Sequence, residues 1–227
     1  MSIKERIEEQ IRRLDLESKT KLIKEKRVEK NQEIKNVVIE STFSDVVICP
    51  LKATNDIQVV LYGRTRKNDQ IQLETEIVSE GVLFIKVKNQ NEEVNGVKLY
   101  VELPRKRDFD NISVKTDFAD ITLKEGISAE KISLCSNSGD VETKADARKT
   151  KIKSSSGNVK FYTNPMSDIE VAITSTFGDI VTNFKNISTL QIETATEGMV
   201  SKYFKENSLG YKAKVNISSI IGDIKIK

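Results

Sequence analysis

One short phrase recurs in this chain: SNSGDVETK at 136–144, SSSGNVKFYTN at 154–164, TSTFGDIVTNF at 174–184 and SSIIGDIKIK at 218–227. Looser copies are STFSDVVI at 41–48 and TDFADITL at 116–123. Each copy has a Ser/Thr-rich strand end, a small turn residue, an Asp or Asn, and then a β-branched residue that opens another strand. A recurring phrase of this kind indicates a stacked repeat architecture and says little about chemistry.

The turn residues of the clear copies form a structural motif. Glycine turns the chain sharply because it adopts positive φ without a Cβ penalty, and a neighbouring Asp or Asn bonds to turn amides. From Ala119 to Gly222, successive turn residues lie 18 to 24 positions apart. The motif residues are Gly139, Asp140, Gly157, Asn158, Gly178, Asp179, Gly222 and Asp223.

Two all-β architectures are compatible with this spacing. In a β-solenoid each unit is one coil, and equivalent turns stack about 4.8 Å apart. In an antiparallel meander or sandwich each Gly-Asp phrase is a hairpin loop. The near-constant period favours the solenoid, with units stacked in chain order. We then expect these apolar residues to point inward: Ile132, Leu134, Val141, Ile152, Val159, Ile169, Val171, Ile173, Ile180, Ile192, Val215, Ile217 and Ile224.

The start of the chain has a different pattern, which predicts a helix over residues 2–30. Four apolar residues, Ile3, Ile7, Ile11 and Leu14, recur at helical spacing and form one interaction face. We therefore divide the chain into a charged amphipathic helix at 1–33 and a β-strand repeat domain at 34–227.

A single helix of this length is marginally stable in water, so it needs a partner surface. Three surfaces are compatible with it: its own β body, a second copy of the helix, or an anionic membrane. The interspersed glutamates weaken the membrane alternative, because anionic lipids repel them. We expect docking or self-association, and keep peripheral membrane contact as the alternative.

Composition limits the classes of partner. The chain has 227 residues, 37 Lys+Arg and 34 Asp+Glu, for a net charge of +3. Residues 1–30 carry all of that net charge, so residues 31–227 sum to zero and predict no nucleic-acid partner. No apolar leader or membrane-spanning run is visible. This predicts a cytoplasmic protein, with a location at the periphery of the cell envelope as the alternative.

The residue types needed for most catalytic and metal sites are missing. The chain has no His, which excludes Ser-His-Asp and Cys-His systems and His metal ligands. Cys49 and Cys135 are far apart and predict free thiols. Stacked Lys151, Lys153 and Lys160 resemble the concave face of a polysaccharide-cleaving solenoid, but we interpret them as solvent-facing strand positions. We predict no enzyme activity, cofactor or metal.

The order of motifs in the second half resembles a known bacterial family. LYVELP at 99–104, ISVKTDFADITL at 112–123 and the repeated S-x-x-G-D-[VI] phrase are similar to the putative adhesin family of domains of unknown function. These are β-strand repeat proteins related to auto-transporter adhesin heads. The resemblance covers roughly 34–227, and the chain departs from exported members by lacking a leader and by carrying the charged helix.

The resemblance implies a right-handed β-solenoid-like body and no catalytic residues. It also implies a non-enzymatic interaction or scaffold role, in which a repetitive β face meets a protein or envelope partner. Two alternatives stay open. One is a membrane-peripheral envelope-stress sensor or regulator tethered by the N-terminal helix. The other is a carbohydrate-active enzyme on the same scaffold.

Overall fold

The computed structural model describes residues 20–30, 33–51, 54–78, 81–89, 96–105, 108–165, 167–203 and 209–227. These residues form β-strands and no helix. The strands are β1 Thr20–Glu29, β2 Asn36–Ser41, β3 Asp45–Leu51, β4 Ile57–Arg66, β5 Ile71–Val78, β6 Val82–Asn89, β7 Val97–Pro104, β8 Asp108–Thr116, β9 Ile121–Leu123, β10 Ser128–Ser138, β11 Val141–Thr143, β12 Asp146–Ser156, β13 Val159–Thr163, β14 Ile169–Phe177, β15 Ile180–Phe184, β16 Ile187–Ala195, β17 Val200–Lys202, β18 Tyr211–Ile221 and β19 Ile224–Ile226.

The strands form two sheets that enclose one apolar core. The ten-stranded sheet A has the order β1-β4-β7-β3-β9-β11-β13-β15-β19-β17, and the nine-stranded sheet B has the order β16-β18-β14-β12-β10-β8-β2-β6-β5. From β8 onward, a longer strand in sheet B is followed by a short turn and a shorter strand in sheet A. We call each such pair of strands a coil.

Neighbouring coils pair in parallel and in register, as a solenoid requires. Ile132 of β10 lies beside Ile112 of β8 and Thr150 of β12. On the other side of the core, Val141 of β11 lies beside Ile121 and Val159. The repeat phrases are therefore turns between the two sheets of one coil. They are not hairpin loops of an antiparallel meander.

The inward-facing prediction is confirmed for twelve of the thirteen apolar positions, which are at most 4% exposed. Ile192 is the exception and is only partly buried. The alternation of buried and exposed residues along each strand follows from the two-residue period of β-structure.

The coils do not stack in chain order at the C-terminal end, so that part of the prediction is wrong. The last coil, β18/β19, lies between β14/β15 and β16/β17 in both sheets. Gly222 consequently lies against Gly178, and Gly198 lies against Gly222. The coil that comes before the last in sequence is the outermost coil in space.

The N-terminal end contains a similar insertion and a reversed cap. The coil β2/β3 lies between β6/β7 and β8/β9. Beyond β6/β7, β4 pairs antiparallel with β7 and β5 pairs antiparallel with β6. β1 then pairs antiparallel with β4 along ten residues.

The predicted helix over 2–30 is wrong for Thr20–Glu29, which is strand β1. Ile23 is 8% exposed and lies opposite Gly63. The Lys21 ammonium donates to the carbonyl oxygen of Asp69 at 2.6 Å. Helix propensity and i,i+4 ion pairs contribute only tenths of a kcal/mol, so a long strand pairing outweighs them. The predicted face of Ile3, Ile7, Ile11 and Leu14 lies outside the described residues.

The part of the chain that the structure describes contains no helix of the length and apolar character needed to cross a bilayer.

Candidate functional site

The four motif glycines stack at one corner of the solenoid, which we call the glycine corner. A Cβ on Gly157 would lie 2.2 Å from the carbonyl oxygen of Gly139, and one on Gly222 would lie 2.2 Å from that of Gly178. A Cβ on Gly139 would lie 2.3 Å from the carbonyl oxygen of Ala119. Gly157, Gly178 and Gly222 have positive φ, whereas Gly139 does not. Close approach of the coils is therefore the requirement that all four glycines share.

The acidic residues next to these glycines form a hydrogen-bonded column. The backbone N–H of Asp140 donates to Oδ1 of Asp120 at 2.8 Å, and that of Asn158 donates to Oδ1 of Asp140 at 2.7 Å. Asp179 N–H donates to Asn158 at 3.0 Å, and Asp223 N–H donates to Asp179 at 2.9 Å. Each side chain thus accepts a backbone hydrogen bond from the next coil, which links neighbouring coils along the stack.

The column continues to both ends of the stack. At one end, Asp120 N–H donates to Oδ1 of Asp45 at 3.2 Å. At the other, Met199 N–H donates to Oδ1 of Asp223 at 2.9 Å. Met199 belongs to the outermost coil, and its side chain has no carboxylate that could accept a hydrogen bond from a further coil.

Buried hydroxyl groups satisfy the carbonyls behind this column. Ser136 Oγ donates to the carbonyl oxygen of Ala119 at 3.2 Å, and Ser219 Oγ donates to that of Gly178 at 3.2 Å. Unpaired buried polar groups are costly, so these bonds explain why Ser and Thr precede the turn. The motif residues therefore hold neighbouring coils together, and their hydrogen-bonding groups are engaged within the stack.

The outer surface of sheet B carries a dense group of lysines. Three outward positions per strand on β8, β10, β12, β14 and β18 align across the sheet. We call these fifteen positions the lysine face. The first column is Asn111, Lys131, Lys149, Glu170 and Lys214; the second is Ser113, Ser133, Lys151, Ala172 and Asn216; the third is Lys115, Cys135, Lys153, Thr174 and Ser218.

The lysine face contains six lysines and one glutamate, Glu170. Lys149 lies 3.7 Å from that carboxylate. The remaining lysines make no ion pair with any residue that the structure describes. Acidic Asp110 and Glu130 lie outside the three columns, and Glu130 pairs with Arg148 at 3.8 Å.

A shallow groove crosses the lysine face between its first and second columns. Its volume is about 420 Å³. Lysines form much of its walls, and the small side chains of Ser133 and Ala172 leave its centre open. The groove spans the same five strands as the face, so it runs along the solenoid axis for about 19 Å. Its lining residues are Asn111, Lys131, Ile132, Ser133, Lys149, Thr150, Lys151, Glu170, Val171, Ala172, Lys214 and Asn216.

The outer surface of sheet A has no comparable charge. The corresponding central column contains Thr122, Glu142, Lys160, Val181 and Lys225. Its glutamate bonds Lys144 at 3.0 Å, and the same contact raises the pKa of that lysine. Lys160 is thus on the opposite sheet from Lys151 and Lys153, and the three do not form one cluster.

A second cavity of about 460 Å³ lies at the corner opposite the glycines. Burial raises the pKa of Asp146, although hydrogen bonds from Asn164 N–H and the Thr163 hydroxyl oppose the shift. Lys144 lies 5.4 Å from the centre of the Tyr162 ring. Lys144 and Asp146 already interact with neighbouring protein groups, so this cavity is a weaker candidate for a ligand site.

The two cysteines are free thiols, as predicted. Cys49 belongs to β3 in sheet A and Cys135 belongs to β10 in sheet B. Burial raises the pKa of the Cys49 thiol, and the charge of Glu102 adds to the effect. Across the described residues, no group of three or more Cys, Asp and Glu side chains forms a metal-binding cluster.

Sequence reasoning missed the lysine face because it grouped Lys151 and Lys153 with Lys160, which is on the other sheet, and interpreted all three only as solvent-facing strand positions. Lys149, Lys151 and Lys153 alternate with buried residues in one strand, which is a visible signal for one charged face. The contributions of Lys131 and Lys214 come from other coils, and only the strand register places them beside β12.

The solved structures similar to this chain have low sequence identity, and the first named below shows the same fold. A putative cell adhesion protein from Clostridium sporogenes has a TM-score of 0.56 and 13% identity, over 91% of this chain and 99% of that one. A putative adhesin from Parabacteroides distasonis has a TM-score of 0.41 and 13% identity, over 91% and 97%. One from Bacteroides fragilis has a TM-score of 0.38 and 14% identity, over 91% and 97%.

No curated protein sequence matches the chain. A family profile matches residues 85–227, which is more than half of the chain and includes all the regular coils. This agrees with the resemblance to domains of unknown function that the repeated phrases indicated. The chain belongs to the Toastrack DUF4097 family.

Proposed function

We propose that this protein is a non-enzymatic binding module of the adhesin type, and that its lysine face holds an acidic polysaccharide chain along the groove. The observation that carries the proposal is the concentration of six lysines and one glutamate among fifteen aligned outward positions. Residues 31–227 have no net charge, and the face contributes +5 to that total. The rest of this region therefore carries −5, so the positive face is a local feature of the fold.

The geometry suits an extended polyanion. Lysines in neighbouring coils, such as Lys131 and Lys149, lie about 4.8 Å apart, and alternate lysines along β12 lie about 7 Å apart. Flexible ammonium groups on such a grid can follow carboxylate or sulfate groups on a chain. Ser133, Asn111 and Asn216 add hydroxyl and amide groups in the groove. These can bond sugar hydroxyls, and a flat lipid surface would leave them unused.

The same face is poorly suited to nucleic acid. Single-stranded nucleic acid is bound by stacking bases on aromatic side chains, and the three columns of the lysine face contain no aromatic residue. They also contain no arginine, the residue that binds phosphate in a bidentate manner. The combination of lysine ammonium groups with serine hydroxyls and asparagine amides favours an anionic sugar polymer.

The groove favours binding without cleavage. Most glycoside hydrolases use two carboxyl groups that flank the scissile bond. Glu170 is the only carboxylate among the described residues that line the groove, and Lys149 partly neutralises it. The absence of His from the sequence removes the other common general base.

An envelope partner is consistent with this proposal. The Clostridium sporogenes structure of the same fold is described as a putative cell adhesion protein, and acidic polysaccharides occur at cell surfaces. A protein partner on the repetitive face is the alternative. Membrane tethering by the segment before Thr20 is a separate proposal that one arm of the experiment below distinguishes.

The test is a binding titration of the full chain with polygalacturonate, with neutral dextran as the uncharged polymer. We expect binding to polygalacturonate only, weakening as salt rises, because exposed charges are screened. Lys131→Glu combined with Lys151→Glu should weaken binding at least about tenfold, since two attractive charges become repulsive. Both side chains are exposed, so the variant should fold normally.

The matched control is Lys160→Glu combined with Lys225→Glu, which makes the same charge change on the exposed surface of sheet A. It should leave binding intact. Equal losses in both variants, or no binding by the unaltered chain, would contradict the proposal. Release of new reducing ends would show an enzyme instead. Pelleting with anionic vesicles that the lysine changes do not affect would point to the segment before Thr20.

A further inference from the structure

The outermost coil, β16/β17, leaves one end of the solenoid open. The outer edge of β16 has no paired strand among the described residues. Inward-facing side chains of this coil are only partly covered: Leu190 and Ile192 are half-buried, and Val200 is 41% exposed. Their counterparts one coil inside, Val215 and Ile224, are fully buried. The cross-section of the apolar core is therefore accessible at this end.

The other end of the stack, which we call the charged end, has edge strands rich in charge: β1 contains six charged side chains, and β5 contains Glu74 and Glu76. There, β4 and β5 run against the direction of the coils and cover β7 and β6. The last strand, β1, displays Lys21, Lys24 and Lys26 on its exposed side chains. Charged edge strands, lysine-rich ones especially, resist pairing with another sheet. A head-to-tail filament, in which the open end of one copy meets the charged end of the next, is thus disfavoured.

We propose that two copies of this chain associate through their open ends, with β16 of one copy antiparallel to β16 of the other. An isologous contact uses the same surface on both copies and closes after two subunits. A two-fold axis perpendicular to sheet B reverses both the strand direction and the solenoid axis. It keeps sheet B of both copies on the same side, so the sheet continues from one copy into the next.

A suitable register exists for this pairing. When the pair is centred on Gln191, Leu190 lies opposite the partner's Ile192, and Glu193 lies opposite the partner's Thr189. Apolar residues that are half-buried in one copy then meet each other, and no like charges are opposed. β16 carries a single charged side chain, Glu193, so it lacks the protection that β1 has.

Two other features of the chain bear on what covers the open end. Lys202 of β17 is charged, but it belongs to sheet A, is exposed and lies away from the centre of β16. The segment before Thr20 is the other candidate to cover the open end. β1 and β17 are nine strand positions apart in sheet A, or about 43 Å. A helix of nineteen residues spans about 28 Å and would not reach β17, whereas an extended segment would. Coverage of the open end by this segment would keep the chain monomeric at every concentration.

The pairing has a consequence for the lysine face. Because the axis is perpendicular to sheet B, the two lysine faces lie on the same side of the dimer. Two copies would then engage one polymer chain, and linked sites gain effective concentration. This consequence rests on the proposed function, whereas the pairing itself does not.

The experiment is sedimentation equilibrium of the full chain, without polysaccharide, from low micromolar to several hundred micromolar concentration. We expect the mass to rise from 25.6 kDa toward twice that value. Amide hydrogen exchange should slow in β16 as the concentration rises and should stay constant in β1.

Gln191→Lys is the test variant, because its exposed position places two ammonium groups face to face at the centre of the pairing. It should weaken dimerisation at least about tenfold, by charge repulsion and loss of edge pairing. The control is Thr174→Lys, which adds the same charge at an exposed position of the interior strand β14 and should leave dimerisation unchanged. A monomer at every concentration overturns the proposal. So does a dimer that Gln191→Lys leaves intact, since association would then use another surface.

Discussion

The last two coils of the chain have the same path but different surroundings. The inserted coil, β18/β19, contains the regular phrase SSIIGDI and has a neighbour on both sides. The terminal coil, β16/β17, contains TATEGMV and has a neighbour on one side only. The regular copy is in the interior although it comes later in the sequence.

The difference shows that the acidic column has a direction. Each Asp or Asn accepts a hydrogen bond from the coil on its outer side, as Asp223 does from Met199 N–H. The terminal coil has no described coil beyond it, so a carboxylate at Met199 would have no amide to accept. How closely a copy matches the repeated phrase therefore depends on its position in the stack. It does not follow from its position along the chain.

The two coils also differ in the burial of equivalent side chains. Val215 and Ile217 of the inserted coil are at most 2% exposed. Ile192, which pairs with Val215, is only partly buried. The three predictions that follow use matched substitutions in the two coils.

The largest effect is expected at the glycine corner. Gly222→Val should lower the free energy of unfolding by about 3–5 kcal/mol, because its Cβ would lie 2.2 Å from the Gly178 carbonyl oxygen and the coil is held on both sides. Gly198→Val meets a similar contact at 2.4 Å, but the terminal coil is free to move outward. We expect about 1–2 kcal/mol there. Urea unfolding measures both, and equal losses would refute the assigned order of the coils.

An intermediate effect is expected in the core. Ile217→Ala should cost about 2–5 kcal/mol, since it leaves a cavity in an enclosed site. Ile192→Ala should cost about 1 kcal/mol, because solvent already reaches that side chain. The same urea titration compares them. The measurement is made at low protein concentration, because the proposed dimer would itself enclose Ile192. A larger loss of stability for Ile192→Ala under that condition would mean that this side chain is already enclosed in a single copy.

The smallest effect is expected in the acidic column. Asp223→Ala should cost about 0.5–1.5 kcal/mol, because Met199 N–H loses its acceptor. Met199→Asp should change stability by less than about 0.5 kcal/mol, since no further coil donates to the new carboxylate. Thermal unfolding of both variants alongside the unaltered chain measures the two changes in stability. A clear gain from Met199→Asp would show an additional donor beyond the terminal coil.

Much of the coil structure could be predicted from local signals. The phrase around Gly157 and Asn158 identifies a turn, and the alternation around Ile152 identifies the buried side of the strand. The insertion of β18/β19 was missed, yet the loss of Asp at Met199 was a readable signal for an end coil. The strand at Thr20–Glu29 was missed because the helix indicated by the spacing of Ile3, Ile7, Ile11 and Leu14 was extended to residue 30. The strand's pairing partner is about forty residues away in sequence.

By itself, the sequence determined the repeat unit: the glycine turn, the acceptor beside it, the hydroxyl before it and the alternating apolar strand. These depend on contacts within a few residues or with an equivalent neighbour, so local chemistry is sufficient. The folded structure was needed to show which coil lies beside which, where the stack is open, and that lysines from separate coils share one face. Those properties depend on pairing between distant segments. Every coil with the common phrase offers the same backbone donors and acceptors, so the phrase does not specify which coil is its neighbour.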